Sequence, residues 1–156
     1  MTSPGNSALR FLPLAALVWL TLPPPACAAT WPVPELPVAS ALDDVTMQWQ
    51  GDTPGTSRLV AGTLAVPVHL DTTAWRGRPA RVYLALPAQP LGRIDVRWRT
   101  SGPLLSGQLV AGQRGLIYAG LVPASLRDTL VFDIVADGTR LQRAQALAFR
   151  FEIDLE

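Results

Sequence analysis

The sequence predicts an all-β protein, a two-sheet antiparallel β-sandwich of seven or eight strands, with a closed β-barrel as the alternative. Three observations predict it. Between Thr129 and Leu155 two runs alternate apolar and polar residues with a period of two: Leu130, Phe132 and Ile134 share one face, then Leu147, Phe149, Phe151, Ile153 and Leu155. Short alternating runs recur upstream at intervals of roughly a dozen residues with turn residues between them. No stretch shows a sustained helical period with caps.

The chain opens with the grammar of an export signal. Arg10 ends a short polar start, Phe11 to Leu22 is apolar, and Ala26-Cys27-Ala28 offers small residues for cleavage. The apolar run is too short to span a bilayer as a helix, so no stable membrane span is expected once the signal is removed. Residues 1–28 are therefore read as a signal peptide cleaved near Ala28, which places the protein in the periplasm or outside the cell. Retention of Cys27 as a lipid anchor is the other reading, although Pro24-Pro25-Ala26 is a poor context for it. After cleavage the chain has no cysteine, so its core must hold it without disulfides.

Residues 29–44 form a Pro-rich leader. Pro32, Pro34 and Pro37 remove amide donors, which makes Trp31-Pro32-Val33-Pro34 extended and excludes it from a central strand. It is either an ordered segment along a sheet edge or an arm that binds a partner through Trp31 and Val33.

The sandwich domain spans 45–156. Val45 to Gly51 alternates, with Val45, Met47 and Trp49 inward, and Asp52 to Thr56 is a turn around Pro54-Gly55. Leu59 to Leu70 carries Leu64, Val66, Val68 and Leu70 on one face; Gly62 and Pro67 predict a bulge and an edge position. Asp71 to Pro79 is a polar loop around Trp75. Arg81 to Leu86 and Arg93 to Thr100 follow, with Val82, Leu84, Ile94, Val96 and Trp98 inward. Further strands fall within Gly107–Val110 and Leu116–Val122, and Pro123 to Arg127 makes a turn. The two last runs are expected to close as a hairpin at Asp137-Gly138, where Gly138 supplies left-handed backbone.

The composition offers no reactive centre. His69 with Asp71 lacks a nucleophile-elbow serine, so no catalytic residue is assigned. One histidine without cysteine gives no metal-ligand spacing, and the side chains of adjacent Asp43 and Asp44 diverge. Val60-Ala61-Gly62-Thr63 lacks the lysine of a phosphate loop, and no cofactor is expected. Removing Arg10 from the 13 bases leaves 12 against the 12 acids, a balance that attracts no nucleic acid. What remains is surface. Trp75 stands in a polar loop, where it either covers the end of the sandwich or offers a platform to a glycan or a protein. Arg81, Tyr83, Arg97 and Arg99 face outward, and are read either as one Arg/Tyr contact face for a protein partner in the bacterial envelope or, equally, as a solvated sheet face.

Several of these segments also resemble, in order, the FlhE family of small exported proteins of the bacterial flagellar system. Val45-Thr46-Met47-Gln48-Trp49-Gln50-Gly51 is similar to its early strand, Val60-Ala61-Gly62 to a Val-Ser-Gly stretch, and Ala80-Arg81-Val82-Tyr83-Leu84 to an Arg-Val-Arg-Leu strand. Val122-Pro123-Ala124 resembles a Val-Pro-Ala turn and Gly138-Thr139-Arg140-Leu141 a Gly-Gly-Arg-Leu turn. The resemblance implies a non-enzymatic periplasmic accessory of flagellar assembly or export. Residues 95–115 lie outside it. The alternative class is a pilus, fimbrial or adhesin-type subunit that donates its leader, or a glycan-binding sandwich using Trp75.

Overall fold

The computed structural model describes residues 29–36, 46–51, 58–90, 92–140 and 147–156. The signal segment 1–28, Pro37, Asp43, Asp44, Val45, the turn 52–56 and Leu141 lie outside the described residues.

Nine strands are described: β1 (Thr30–Pro32), β2 (Gln48–Trp49), β3 (Leu59–Asp71), β4 (Pro79–Ala85), β5 (Ile94–Arg99), β6 (Gly107–Val110), β7 (Arg114–Leu121), β8 (Ser125–Asp137) and β9 (Arg150–Leu155). They form two antiparallel sheets, one of four strands in the order β1-β9-β4-β7 and one of five in the order β2-β3-β8-β5-β6. The sheets do not close into a barrel. A 3₁₀ turn, Thr73–Trp75, lies between β3 and β4.

Period-two alternation explains the core. Alternate residues are buried along β4 and β5, from Leu130 to Ala136 in β8 and at Phe151 and Ile153 in β9, including Val82, Leu84, Val96 and Phe132. Each such side chain contributes about 1.5–3 kcal/mol by leaving water. Trp98 sits at the centre and needs two glycines. A Cβ on Gly107 would lie 2.6 Å from its Cζ2, and one on Gly115 would come closer still to Cη2. These two positions therefore form the slot that admits the indole, whose Nε1 donates to the Leu105 carbonyl at 2.8 Å.

The predicted closing hairpin is not formed. β8 pairs with β3 and β5, whereas β9 pairs with β1 and β4 in the opposite sheet. Sending the two runs to different sheets lets both apolar faces look into one core, and Phe132 stacks on Phe149 with ring centroids 4.8 Å apart. Gly138 is not among the glycines with positive φ. Its role is close approach: a Cβ there would lie 2.6 Å from Val60 Cγ1 and 2.8 Å from the Trp49 ring. Asp137 turns the chain instead, its Oδ1 accepting from the Thr139 amide at 3.0 Å and hydroxyl at 2.6 Å. Those bonds, with nearby arginines, hold its carboxyl below the usual range.

Three further expectations shift. The β3–β8 register runs unbroken from Leu59 to Asp71, and the bulge lies instead between Val82 and Tyr83, where β4 meets β7. β8 begins at Ser125, so the turn before it is shorter than predicted. It is fastened by the buried Thr72, whose hydroxyl donates to the Pro123 carbonyl at 2.7 Å. Finally, Trp49 is 59% exposed, not core. It pairs with Val60, an inward position, but β2 ends its sheet. An inward residue on an edge strand overhangs the seam between the layers.

The leader forms part of this seam. Thr30, Trp31 and Pro32 pair with Asp154, Ile153 and Glu152 of β9, and the Val33 amide donates to the Phe151 carbonyl at 2.9 Å. Two residues later Glu35 bridges to Leu70 of β3, and the Leu36 amide donates to the His69 carbonyl at 2.8 Å. The leader thus crosses from one sheet to the other. Val33 is 6% exposed, so its side chain is core and not a contact surface.

Candidate functional site

The four outward residues read as one face lie on two. Arg81 and Tyr83 belong to β4 in the four-stranded sheet, and Arg97 and Arg99 to β5 in the five-stranded sheet. Both pairs point away from the core, and therefore in opposite directions. Alternation shows which residues face out, but not from which layer.

On the four-stranded face the organising residue is Arg114 of β7, which the sequence reading placed outside any strand. Its guanidinium carbon lies 4.2 Å over the Tyr83 ring. The same group donates to both oxygens of Asp154, at 3.2 and 2.9 Å, and lies 3.6 Å from Glu152. Thr30 of the leader donates to Asp154 at 2.7 Å. Arg81 pairs with Glu156 at 2.8 Å. Burial pushes the Asp154 carboxyl up, but the hydrogen bonds from Thr30 and Arg114 and the charges of Arg114 and Arg81 outweigh it, holding the group below its ordinary value. The hydrogen bond to Asp154 likewise raises Arg114, against its own desolvation. This polar lattice reaches from β1 across β9 and β4 to β7, and its chemistry is satisfied internally. The signal for it in the sequence was the acidic alternation Glu152, Asp154, Glu156; the arginine that answers it is about 40 residues away.

The five-stranded face is built differently. Thr63, Asp133, Arg97 and Gln108 lie side by side across β3, β8, β5 and β6. The flanking rows are small and apolar on β3 and β8 and charged on β5: Ala65, Val131 and Arg99 on one side, and Ala61, Val135 and Asp95 on the other. The Thr63 hydroxyl donates to Asp133 Oδ1 at 2.9 Å, and Arg99 reaches Asp133 Oδ2 at 3.3 Å. Arg93 clamps Asp95 at 2.7–2.8 Å, a hydrogen-bonded pair that lowers the Asp95 pKa. Arg97 has no ion pair or hydrogen bond among the described residues. Two shallow depressions open here. One of about 290 Å³ is lined by Leu59, Arg93, Asp95, Val135 and Asp137 among others. The second, of about 170 Å³, is lined by Arg99, Thr100, Ser101, Thr129 and Val131.

The remaining candidates are scattered. Trp31 is 50% exposed at the β1 edge, opposite Ile153. Trp75 is half-buried and packs against the core from the 3₁₀ turn, covering the end of the sandwich. His69 Nε2 accepts from Arg127 Nε at 3.0 Å, while Asp71 accepts from the Thr73 amide at 3.0 Å, so each partner of the His-Asp pair is engaged elsewhere. The Thr73 hydrogen bonds lower the Asp71 pKa. Among the described residues no three His, Cys, Asp or Glu side chains gather where they could hold a metal ion, and no helix is long and apolar enough to cross a membrane.

No protein-family model, curated protein or solved structure matches the chain. Function is accordingly read from the two faces.

Proposed function

We propose that the protein, once exported to the periplasm, is a non-enzymatic accessory that holds a protein partner of the bacterial envelope on the outer face of its five-stranded sheet, in the service of flagellar assembly or export. The observation that carries the binding reading is the character of that face: small apolar side chains of β3 and β8 near an arginine that has no ion pair or hydrogen bond among the described residues, on a continuous sheet. Protein interfaces favour such a composition, because the apolar rows lose water cheaply while arginine supplies directional bonds. The flagellar context is supported by the ordered resemblance of Val45–Gly51 and the later segments to the FlhE family. The leader's engagement with β9 and β3 of its own chain favours an accessory over a fibre subunit that gives its leader to a neighbour.

The test is genetic. A host strain lacking the chain is expected to change in motility or flagellin export, and the wild-type chain to restore it. The Val131→Asp/Val135→Asp chain, folded and exported, is expected not to. Full restoration by that variant removes the face from the function, and an unaltered deletion strain removes the flagellar context.

A further inference from the structure

The chemistry of the partner segment can be read from the five-stranded face, on the reading that this face is the partner surface. β8 runs through the middle of the sheet with Val131, Asp133 and Val135 outward at successive alternate positions. Val131 lines one depression and Val135 the other. Two residues four apart on a strand are separated by about 13 Å. An extended partner has the same repeat, so a segment lying along β8 that sets residue i over one valine sets residue i+4 over the other. Its residue i+2 then falls on the polar row between them.

That row decides the charge of the middle residue. Around it stand three arginines, Arg93, Arg97 and Arg99, against two aspartates, Asp95 and Asp133. Arg93 is held by Asp95, and Arg99 by Asp133, whose other oxygen is taken by Thr63. Arg97, exposed and directly opposite Asp133, has no acceptor for its donors among the described residues. One carboxylate satisfies this arrangement, whereas an amine meets unmatched positive charge. We infer that the face receives an extended peptide segment of the pattern apolar–x–acidic–x–apolar, its acid on Arg97 and its two apolar side chains over Val131 and Val135.

The probe is a fluorescently labelled, capped peptide of sequence leucine–threonine–glutamate–threonine–leucine, titrated into the purified chain and followed by anisotropy. It is expected to bind. Lysine in place of glutamate is expected to weaken binding tenfold or more, and Arg97→Gln about tenfold, as for a lost hydrogen bond to a charged group. Raising the salt concentration is expected to weaken the glutamate peptide. Arg97→Gln is expected to leave the fold untouched, which its melting curve is to check. No binding, equal binding of the glutamate and lysine peptides, or no effect of Arg97→Gln overturns the inference. So does a concentration-dependent dimer abolished by Val131→Asp without peptide binding, which gives the face to a second copy. Failure of the peptide while Val131→Asp/Val135→Asp still abolishes rescue in the host leaves the face as the partner surface and rejects only the segment chemistry. Full rescue by that double variant rejects both.

Discussion

The two outer faces of this sandwich are made of the same residue types and are used in opposite ways. On the four-stranded sheet Arg114 is held by Asp154 and Tyr83, Asp154 also by Thr30, and Arg81 by Glu156, so the arginines named there are committed within the fold. On the five-stranded sheet Arg93 and Arg99 are matched, and Arg97 between them has no match among the described residues. A charged face is therefore not by itself a binding face. What distinguishes the two is where the unmatched donors stand: among the described residues Arg97 is unmatched in the middle of β5, whereas Arg150, also without an ion pair or hydrogen bond, lies at the end of β9.

If the four-stranded face is structural, its leader should be too, and Val33→Asp is the harshest test. A carboxylate at a position 6% exposed between the sheets is expected to cost about 3–5 kcal/mol, read in chemical denaturation. A loss below about 1 kcal/mol would mean that the leader is a loosely held arm and would erase the difference between the faces. Next in size is Arg114→Ala. It leaves the largely buried Asp154 with Thr30 as its remaining named partner, and because the arginine side chain is 41% exposed the expected loss is reduced to about 1 kcal/mol.

Acid should act on the same lattice. Asp154 has a folded pKa below its unfolded value of about 3.9, so its contribution is complete above that value and disappears as the pH falls through the folded value. Glu35, raised by burial, has the opposite sign: its contribution is complete below an unfolded value of about 4.3 and is lost as the pH rises through the folded value. Denaturant midpoints measured from pH 7 to pH 3 are expected to show a smaller acid loss in Asp154→Asn than in the wild type, and a weaker opposing trend in Glu35→Gln. The smallest effect belongs to the other face. Arg97→Gln should change stability by less than about 0.5 kcal/mol while weakening the peptide. A destabilisation comparable to that of Arg114→Ala would show that Arg97 is structural and that the faces do not differ.

Much of the fold was legible because period-two burial is local. Val82 and Leu84, Ile94 with Val96 and Trp98, and Phe151 with Ile153 are all inward as their phase demands. The candidate site was legible only in part. Arg97 and Arg99 could be placed outward, but their separation from Arg81 and Tyr83 depends on which sheet each strand joins. Arg114 was hidden because its partners, Tyr83 and Asp154, are 31 and 40 residues away in sequence. Trp49 misled because alternation gives the direction of a side chain and not whether anything lies beyond it.

The sequence alone determined that this chain is built from half-buried strands and which side of each strand is greasy, since a repeat of two is a property of neighbouring residues. Tertiary structure decided that β8 and β9 part company, that the leader bridges the layers, and that Arg97, among the described residues, stands in the middle of its sheet without an acceptor. Those facts turn on pairings between residues far apart along the chain, which local pattern does not encode.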